Sequence, residues 1–232
     1  MPVLGRTLSQ TALIIFAKEP VLGKVKTRLQ RALPAVIVLN LYKAFIEDVV
    51  AIVREVPCDK RFIYYSSSNG QADHFKVFKR NFILRKQVGS SLGDRMQHAF
   101  VQCRKEGFAR MVIIGSDCLT IKKEDIVKAF QKLNGVDVVI GPSEDGGYFL
   151  IGVREPDAAI FKKVTWSTST VLKQTVKNIQ VVGKRYQLLR KRYDIDTAAS
   201  LSRFAGYAKT RRLKTFTARY LGEIGKDRNI RI

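Results

Sequence analysis

The sequence of 232 residues predicts an α/β fold, a mainly parallel sheet flanked by helices. Three observations predict it. Short β-rich runs alternate along the chain with helical patterns of roughly ten to twenty residues, as crossover units feeding a parallel sheet do. The first run, Ala12 to Ala17, is continuously apolar, which suits a strand covered on both faces. Finally, the composition is globular, 46% hydrophobic and 27% charged. A chain of this length buries about 70% of its unfolded surface.

The elements follow in order. Pro20 and Gly23 end the first strand in a loop that is basic. From Ala35 to Val53, apolar residues including Val36, Leu39, Val49 and Ile52 recur at helical spacing. Arg61 to Tyr65 predicts a second strand and Phe82 to Gln87 a third. Gly93 opens a helix with Met96, Ala99, Phe100 and Cys103 along one side. Arg110 to Gly115 predicts the fourth strand, and a helix follows over about Lys122 to Leu133. Val136 to Gly141 and Gly147 to Val153 predict the fifth and sixth strands. No repeat, low-complexity tract or linker divides the chain. Residues 1–232 therefore predict a single Rossmann-like domain, with a basic helical segment from about 197.

Composition excludes several functional classes. No uncharged apolar run approaches the roughly 20 residues of a transmembrane helix, and residues 1–12 lack a signal-peptide pattern. Cys58, Cys103, Cys118, His74 and His98 are too scattered for a zinc site or a disulfide framework. They read as the free thiols of a cytoplasmic protein, with His74 on the surface and His98 on the surface or half-buried. The formal net charge is +22, and residues 151–232 carry 19 basic and 6 acidic side chains. That balance accommodates nucleic acid, an anionic membrane surface or polyphosphate substrates. Tyr186, Tyr193 and Tyr220 interleave with basic residues as in single-strand binders, but no recognition module is apparent, which argues against nucleic acid. Arg211 to Lys226, as one basic amphipathic helix, would suit a peripheral contact with anionic membrane. A solvated basic face is the plainer reading.

In such a sheet ligands bind outside the carboxyl ends of the strands, so the loops there should carry the chemistry. After the first strand, Lys18, Lys24, Lys26 and Arg28 lie within a short loop, and Gly23 permits close backbone approach to a diphosphate or triphosphate. The loop is neither a P-loop nor Gly-x-Gly-x-x-Gly. Past the fourth strand, Asp117 in Val112–Thr120 is a candidate oxygen ligand for Mg²⁺ or Mn²⁺, or a turn aspartate. In Gly141–Tyr148, Glu144 or Asp145 would face a hydroxyl while the Gly146 and Gly147 amides approach the ligand; the alternative is a plain hairpin turn. Asp194 and Asp196 lie in an extended stretch, and only one is expected to face the crevice; Asp196 or Thr197 caps the next helix. The hydroxyls of Trp166-Ser-Thr-Ser169 are expected to cap a helix. Gly93-Asp94 would bring helix-terminal amides near a base or phosphate, with Arg95 on the nucleotide.

Taken in order, these motifs resemble the radical-SAM/selenodomain-associated transferase family, which has the glycosyltransferase A-type, nucleotide-diphospho-sugar transferase fold. The resemblance rests on Phe-Ala-Lys-x-Pro-x-x-Gly-x-x-Lys-Thr-Arg-Leu at 16–29, Leu-Tyr-x-Ala-Phe-x-x-Asp at 41–48 and Leu-Gly-x-Arg-Met at 92–96. It continues through Ile-Gly-Ser-Asp-Cys at 114–118, Gly-Pro-x-x-Asp-Gly-Gly-Tyr at 141–148, Ile151-Gly152, Trp166–Ser169 and Asp194-x-Asp-Thr197. Phospholactate guanylyltransferases and molybdenum-cofactor cytidylyltransferases are more distantly similar. The resemblance implies a Mg²⁺- or Mn²⁺-dependent transferase using a nucleotide-activated donor. Glycosyl transfer from a nucleotide sugar is the leading reading, and nucleotidyl transfer from a nucleoside triphosphate the alternative. It implies a cation on Asp117, with Asp196 as a second metal or water ligand. Lys18, Gly23, Lys24, Lys26, Arg28, Arg95 and Ser116 would hold the nucleotide and its phosphates. Glu144 or Asp145 would act on the acceptor, beside Gly146, Gly147 and Tyr148. Three departures stand out: Leu119 where the family carries proline, Glu19 in an otherwise basic loop, and one carboxylate, Asp117, where many glycosyltransferases have Asp-x-Asp. The single carboxylate is more like the nucleotidyltransferases. Acceptor identity and oligomeric state are not specified by the sequence.

Overall fold

A computed structural model describes residues 10–67 and 70–226, so most of the 1–12 segment lies outside the described residues. Strands β1 (Gln10–Lys18), β2 (Lys60–Ser66), β3 (Ile83–Lys86), β4 (Phe108–Gly115), β5 (Val138–Pro142), β6 (Tyr148–Val153) and β7 (Tyr186–Leu188) form one sheet. Their order is β3-β2-β1-β4-β6-β5-β7. β1 pairs in parallel with both β2 and β4, β2 with β3, and β5 with β7. β6 runs antiparallel to β4 and β5. The connection at 143–147 is too short for a crossover, so the chain can only turn back on itself there. The predicted strands match within a few residues. The edge strand β7 was not predicted; at three residues it carries too little pattern to read.

Helices α1 (Ala35–Glu55), α2 (Leu92–Lys105), α3 (Lys123–Lys132), α4 (Val171–Val181), α5 (Ala198–Thr210) and α6 (Phe216–Ile224) cover the sheet. The alternation within β1 divides the core. Leu13, Ile15 and Ala17 pack with Val38, Phe45, Phe204 and Leu221 on one face. Ala12, Ile14 and Phe16 pack with Phe62, Phe100 and Ile179 on the other. Each such large side chain contributes about 1.5–3 kcal/mol by leaving water, which explains why β1 reads as an uninterrupted apolar run.

The carboxyl-terminal segment departs from expectation. Arg211 ends α5, Arg212 adopts a left-handed conformation (φ 50°), and α6 starts anew at Phe216. Buried Asp48 of α1 accepts hydrogen bonds from the Phe216 and Thr217 amides at 2.6 and 3.1 Å. Two of the apolar residues of this segment, Leu221 and Ile224 of α6, are buried in the core on the α1 side, while Phe216 stays exposed. Among the described residues, no helix is long and apolar enough to cross a membrane.

Candidate functional site

The sheet order reverses between β1 and β4, and a cavity of about 750 Å³ opens at the carboxyl edge there. Along that edge lie Gln87 just beyond β3, Ser66 and Lys18 at the ends of β2 and β1, and Ser116 and Asp117 beyond β4. Tyr148, at the start of the reversed β6, comes next.

The loop after β1 builds the centre. Val25 and Leu29 are buried and pin it to the core. Gly23 (φ 75°) allows the turn that the Lys24 amide closes on the Val21 carbonyl. Lys26 is left-handed as well (φ 47°), a conformation costing a non-glycine residue about 1–3 kcal/mol. The contacts of its side chain offset that cost. The Lys26 side chain is only 5% exposed, and Nζ lies 2.8 Å from Asp117 Oδ2 and 2.5 Å from Asp196 Oδ1. Burial works against the ammonium, but the two carboxylates outweigh it and hold its pKa above the ordinary lysine value. Burial likewise opposes the Asp196 carboxylate, yet Lys26 and then Arg28, 4.0 Å away, bring its pKa below the usual range.

A second set of bonds fixes the loop after β4. The Tyr42 hydroxyl, on α1, accepts the Lys18 amide at 2.9 Å and lies 3.2 Å from Ser116 Oγ, which donates to Asp117 Oδ1 at 3.2 Å. Burial, then the Asp117 charge, pushes the Tyr42 phenol up to about 12, so it keeps its proton. The Ile195 amide donates to the Asp117 carbonyl at 2.9 Å, with the Ile195 side chain fully buried. Its neighbours Asp194 and Asp196 both line the cavity, which corrects the expectation of a single carboxylate there: residues two apart on an extended chain share a face. Burial and the nearby Asp117 raise the Asp194 pKa to about 7, although Ser143 Oγ donates to it at 2.9 Å. Thr197 is the N-cap of α5, its hydroxyl accepting the Ser200 amide.

The far end is a pair of interlocked loops. The Ser143 amide donates to the Gly147 carbonyl, the Gly147 amide to Asp145 Oδ1 at 3.0 Å, and the Leu172 amide to the Gly146 carbonyl at 2.9 Å. Gly146 (φ 88°) is so close to the other loop that a Cβ would fall 2.1 Å from the Ser169 carbonyl oxygen. Asp145, Gly147 and Tyr148 line the cavity, whereas Gly23, Lys24, Glu144 and Gly146 are outside its lining. Glu144, expected to act on the acceptor, instead forms a bidentate pair with Arg203 at 2.6 and 3.1 Å. Ser167, Thr168 and Ser169 line the cavity rather than cap; Thr170 is the N-cap position of α4 and makes no side-chain cap bond. Arg95 lines the cavity, its Nε bonded to the Gly89 carbonyl, but the Asp94 amide is taken by Ser91 in a capping box.

Of the residues singled out in the sequence, the cavity thus brings together Lys18, Lys26, Arg28, Arg95, Ser116, Asp117, Asp145, Gly147, Tyr148 and Asp196. Sequence reasoning missed Tyr42, Ser66, Gln87 and the lining role of Trp166. Gln87 donates from Nε2 to the Tyr64 and Ala17 carbonyls at 2.9 and 3.3 Å. Among the described residues no group of three or more His, Cys, Asp or Glu is arranged to hold a metal. Asp117 and Asp196 do converge on one cation, the Lys26 ammonium. Two carboxylates fit Mg²⁺ or Mn²⁺ when substrate phosphates complete the shell.

Among solved structures, a protein of Desulfovibrio desulfuricans G20, provisionally described as a nucleotide-diphospho-sugar transferase, is similar at 29% identity and a TM-score of 0.85. The match covers 93% of this chain and 95% of that one. The fold is shared at 8% identity with 4-diphosphocytidyl-2C-methyl-D-erythritol synthase of Anaerococcus prevotii DSM 20548 (TM-score 0.57, 86% and 96% covered). It is shared at 10% with a CMP:2-keto-3-deoxy-manno-octonic acid synthetase complexed with CTP (TM-score 0.53, 88% and 100% covered). These neighbours are described as a transferase, a synthase and a synthetase, and the fold of this chain is theirs. No curated protein matches the chain. Residues 49–168, more than half of the length, match the model of the family described as "Uncharacterized protein conserved in bacteria (DUF2064)", and the chain belongs to that family.

Proposed function

We propose that the protein is a divalent-metal-dependent transferase that uses a nucleotide-activated donor, with a nucleotide-diphospho-sugar as that donor. The observation that carries this reading is the convergence of Lys26, Asp117 and Asp196 at the switch point of the sheet, beside Lys18 and Arg28. Cations clustered at that point suit a diphosphate. The similarity to the Desulfovibrio protein and the motif resemblance to radical-SAM/selenodomain-associated transferases support the donor class.

In this mechanism Lys18 and Arg28 bind the donor phosphates, and Lys26, paired with Asp117 and Asp196 in the free protein, would turn to those phosphates where a cation takes over its two carboxylates. Asp117 and Asp196 would hold Mg²⁺ or Mn²⁺, whose chemistry is to neutralise the charge growing on the departing nucleotide. Ser116 and Tyr42 orient Asp117. Asp145 has Oδ1 occupied by the Gly147 amide, which leaves Oδ2 to take the proton of an acceptor hydroxyl. Free thiols at Cys58, Cys103 and Cys118 fit a cytoplasmic setting. The second reading, nucleotidyl transfer with loss of pyrophosphate, is favoured by the single carboxylate of Ser116-Asp117-Cys118.

A thermal-shift panel of nucleotide sugars and nucleoside triphosphates, each with and without Mg²⁺ or Mn²⁺, separates the two. A ligand at 100 times its Kd adds about 2.7 kcal/mol, or about 5–10 °C for a chain of this size. Metal-dependent shifts with a nucleotide sugar support glycosyl transfer; shifts with a triphosphate alone support nucleotidyl transfer. Asp117→Ala should abolish turnover and keep the fold. Retained turnover with unchanged metal dependence would refute both readings.

A further inference from the structure

We propose that Trp166 and the loop that follows it form a subsite for an uncharged, hydroxyl-rich ring, with the indole as its platform. The proposal deepens the transferase reading and rests on it.

Three observations place the platform. The half-buried indole lines the cavity and meets Tyr148 edge-to-face, with centroids 6.5 Å apart and planes at 84°. It lies directly on the first turn of α2, where a Cβ on Gly93 would come within 2.6 Å of Trp166 Cζ2. Phe161 backs it, tilted by 39°. The ring is therefore held on several sides while it still contributes to the cavity wall.

The surrounding chemistry selects the ligand. Ser167 is held left-handed (φ 64°), and Ser167, Thr168 and Ser169 all contribute to the same wall. Opposite the loop, the Gly146 contact brings Asp145 and its free Oδ2 into the same end of the cavity. Apolar ring faces with hydroxyl and carboxylate partners for peripheral hydroxyls are the chemistry of a sugar subsite. Lys18, Lys26 and Arg28 belong to the β1 loop, while this end holds the carboxylate of Asp145 and an Arg95 already bonded to the Gly89 carbonyl. A phosphate-bearing attacker would meet Asp145 without a matching cation cluster. The ring is supplied either by the donor or by the acceptor.

Trp166 is the sole tryptophan of the chain, so intrinsic emission reports on this subsite. The experiment titrates the full-length protein, in Mg²⁺, with UDP-, GDP-, CMP- and dTDP-sugars, each against its free nucleotide. It then adds free monosaccharides to the nucleotide-bound protein, with calorimetry run in parallel. A saturable emission change with a nucleotide sugar but not with its nucleotide assigns the donor ring to the platform; a change only with added monosaccharide assigns the acceptor ring. Trp166→Ala should weaken the ring-bearing ligand about tenfold and leave the nucleotide unchanged, with Trp166→Phe intermediate. A merely structural role would weaken both ligands alike and would overturn the proposal. If Trp166→Ala fails to fold, Trp166→Phe and the wild-type titration still decide. A nucleotide sugar that binds by calorimetry no better than its nucleotide, with flat emission and no monosaccharide response, overturns the subsite and spares the transferase reading. An emission change with a sugar phosphate but no neutral sugar overturns it too. Absence of binding by every nucleotide and nucleotide sugar sinks both.

Discussion

Replacing Lys26 with methionine tests whether one ammonium organises the centre of the cavity. The change keeps most of the side-chain length and removes the charge. In the folded protein Nζ sits 2.8 Å from Asp117 and 2.5 Å from Asp196, so two carboxylates lose their common counter-ion at once. At an effective dielectric near 20, each contact is worth roughly 6 kcal/mol of Coulomb energy before the desolvation of the lysine is charged against it. Removing one partner of a buried pair costs about 3–5 kcal/mol net. Here the carboxylate side chains are 40% and 41% exposed, and water takes up part of the loss, so the low end applies. A loss of about 3 kcal/mol lowers Tm by roughly 6–12 °C. The raised lysine pKa contributes stability that is complete below its unfolded value and fades only in strong alkali; the depressed Asp196 pKa contributes stability that fades only in acid. The assay is a melt of wild type and Lys26→Met at pH 7.5, with and without millimolar Mn²⁺. Freed of the ammonium, Asp117 and Asp196 should take up the ion without nucleotide, so Mn²⁺ should restore part of the lost Tm in the variant and do little for wild type. A variant that melts within 2 °C of wild type, or that ignores Mn²⁺, would refute the reasoning.

Other expectations follow from the same contacts. Because the folded Asp194 pKa is raised from 3.8 to about 7, the native state holds the extra proton between those values, and this group subtracts stability as pH rises through that window. Asp194→Asn should therefore gain several degrees in Tm over wild type at pH 8 and little at pH 4.5; equal effects at both would exclude this origin. Gly146→Ala combines a left-handed backbone with a Cβ placed 2.1 Å from the Ser169 oxygen. It should cost at least about 2 kcal/mol, read by denaturant melts, and depress turnover of the folded fraction by displacing Asp145. Asp48→Ala strips two charge-assisted bonds from the start of α6, at about 1.5–3 kcal/mol each. Hydrogen exchange should then accelerate across 216–224 far more than in β1.

The alternation of β1 and the helical spacing of α1 were legible because each buries a repeating face, and periodicity records that directly. The apolar run of β6 reads the same whichever way it points; its reversal was legible only in the short 143–147 connection, where a hairpin turn was one of the two readings and is the one the antiparallel β5–β6 pairing bears out. Motif positions placed Lys26, Asp117 and Asp196 in one site, yet their mutual ion pairs span 91 and 170 positions and leave no local signal. Glu144 and Asp145 are adjacent carboxylates that no pattern distinguishes; Arg203, on α5, takes one away and the Gly147 amide keeps the other. Gln87 and Tyr42 escaped notice because each resembles an ordinary strand or helix residue until the sheet edges are assembled.

The contact between Gly146 and the Ser169 backbone also governs how this site can diversify. Two loops that meet without side-chain padding share one boundary, so insertions or exchanged residues in either displace the other. Relatives that acquire a new preference at this end should change 143–147 and 166–170 in concert. An engineer seeking to transplant specificity would have to move both segments as a matched pair, since either alone would arrive without the surface that shapes it.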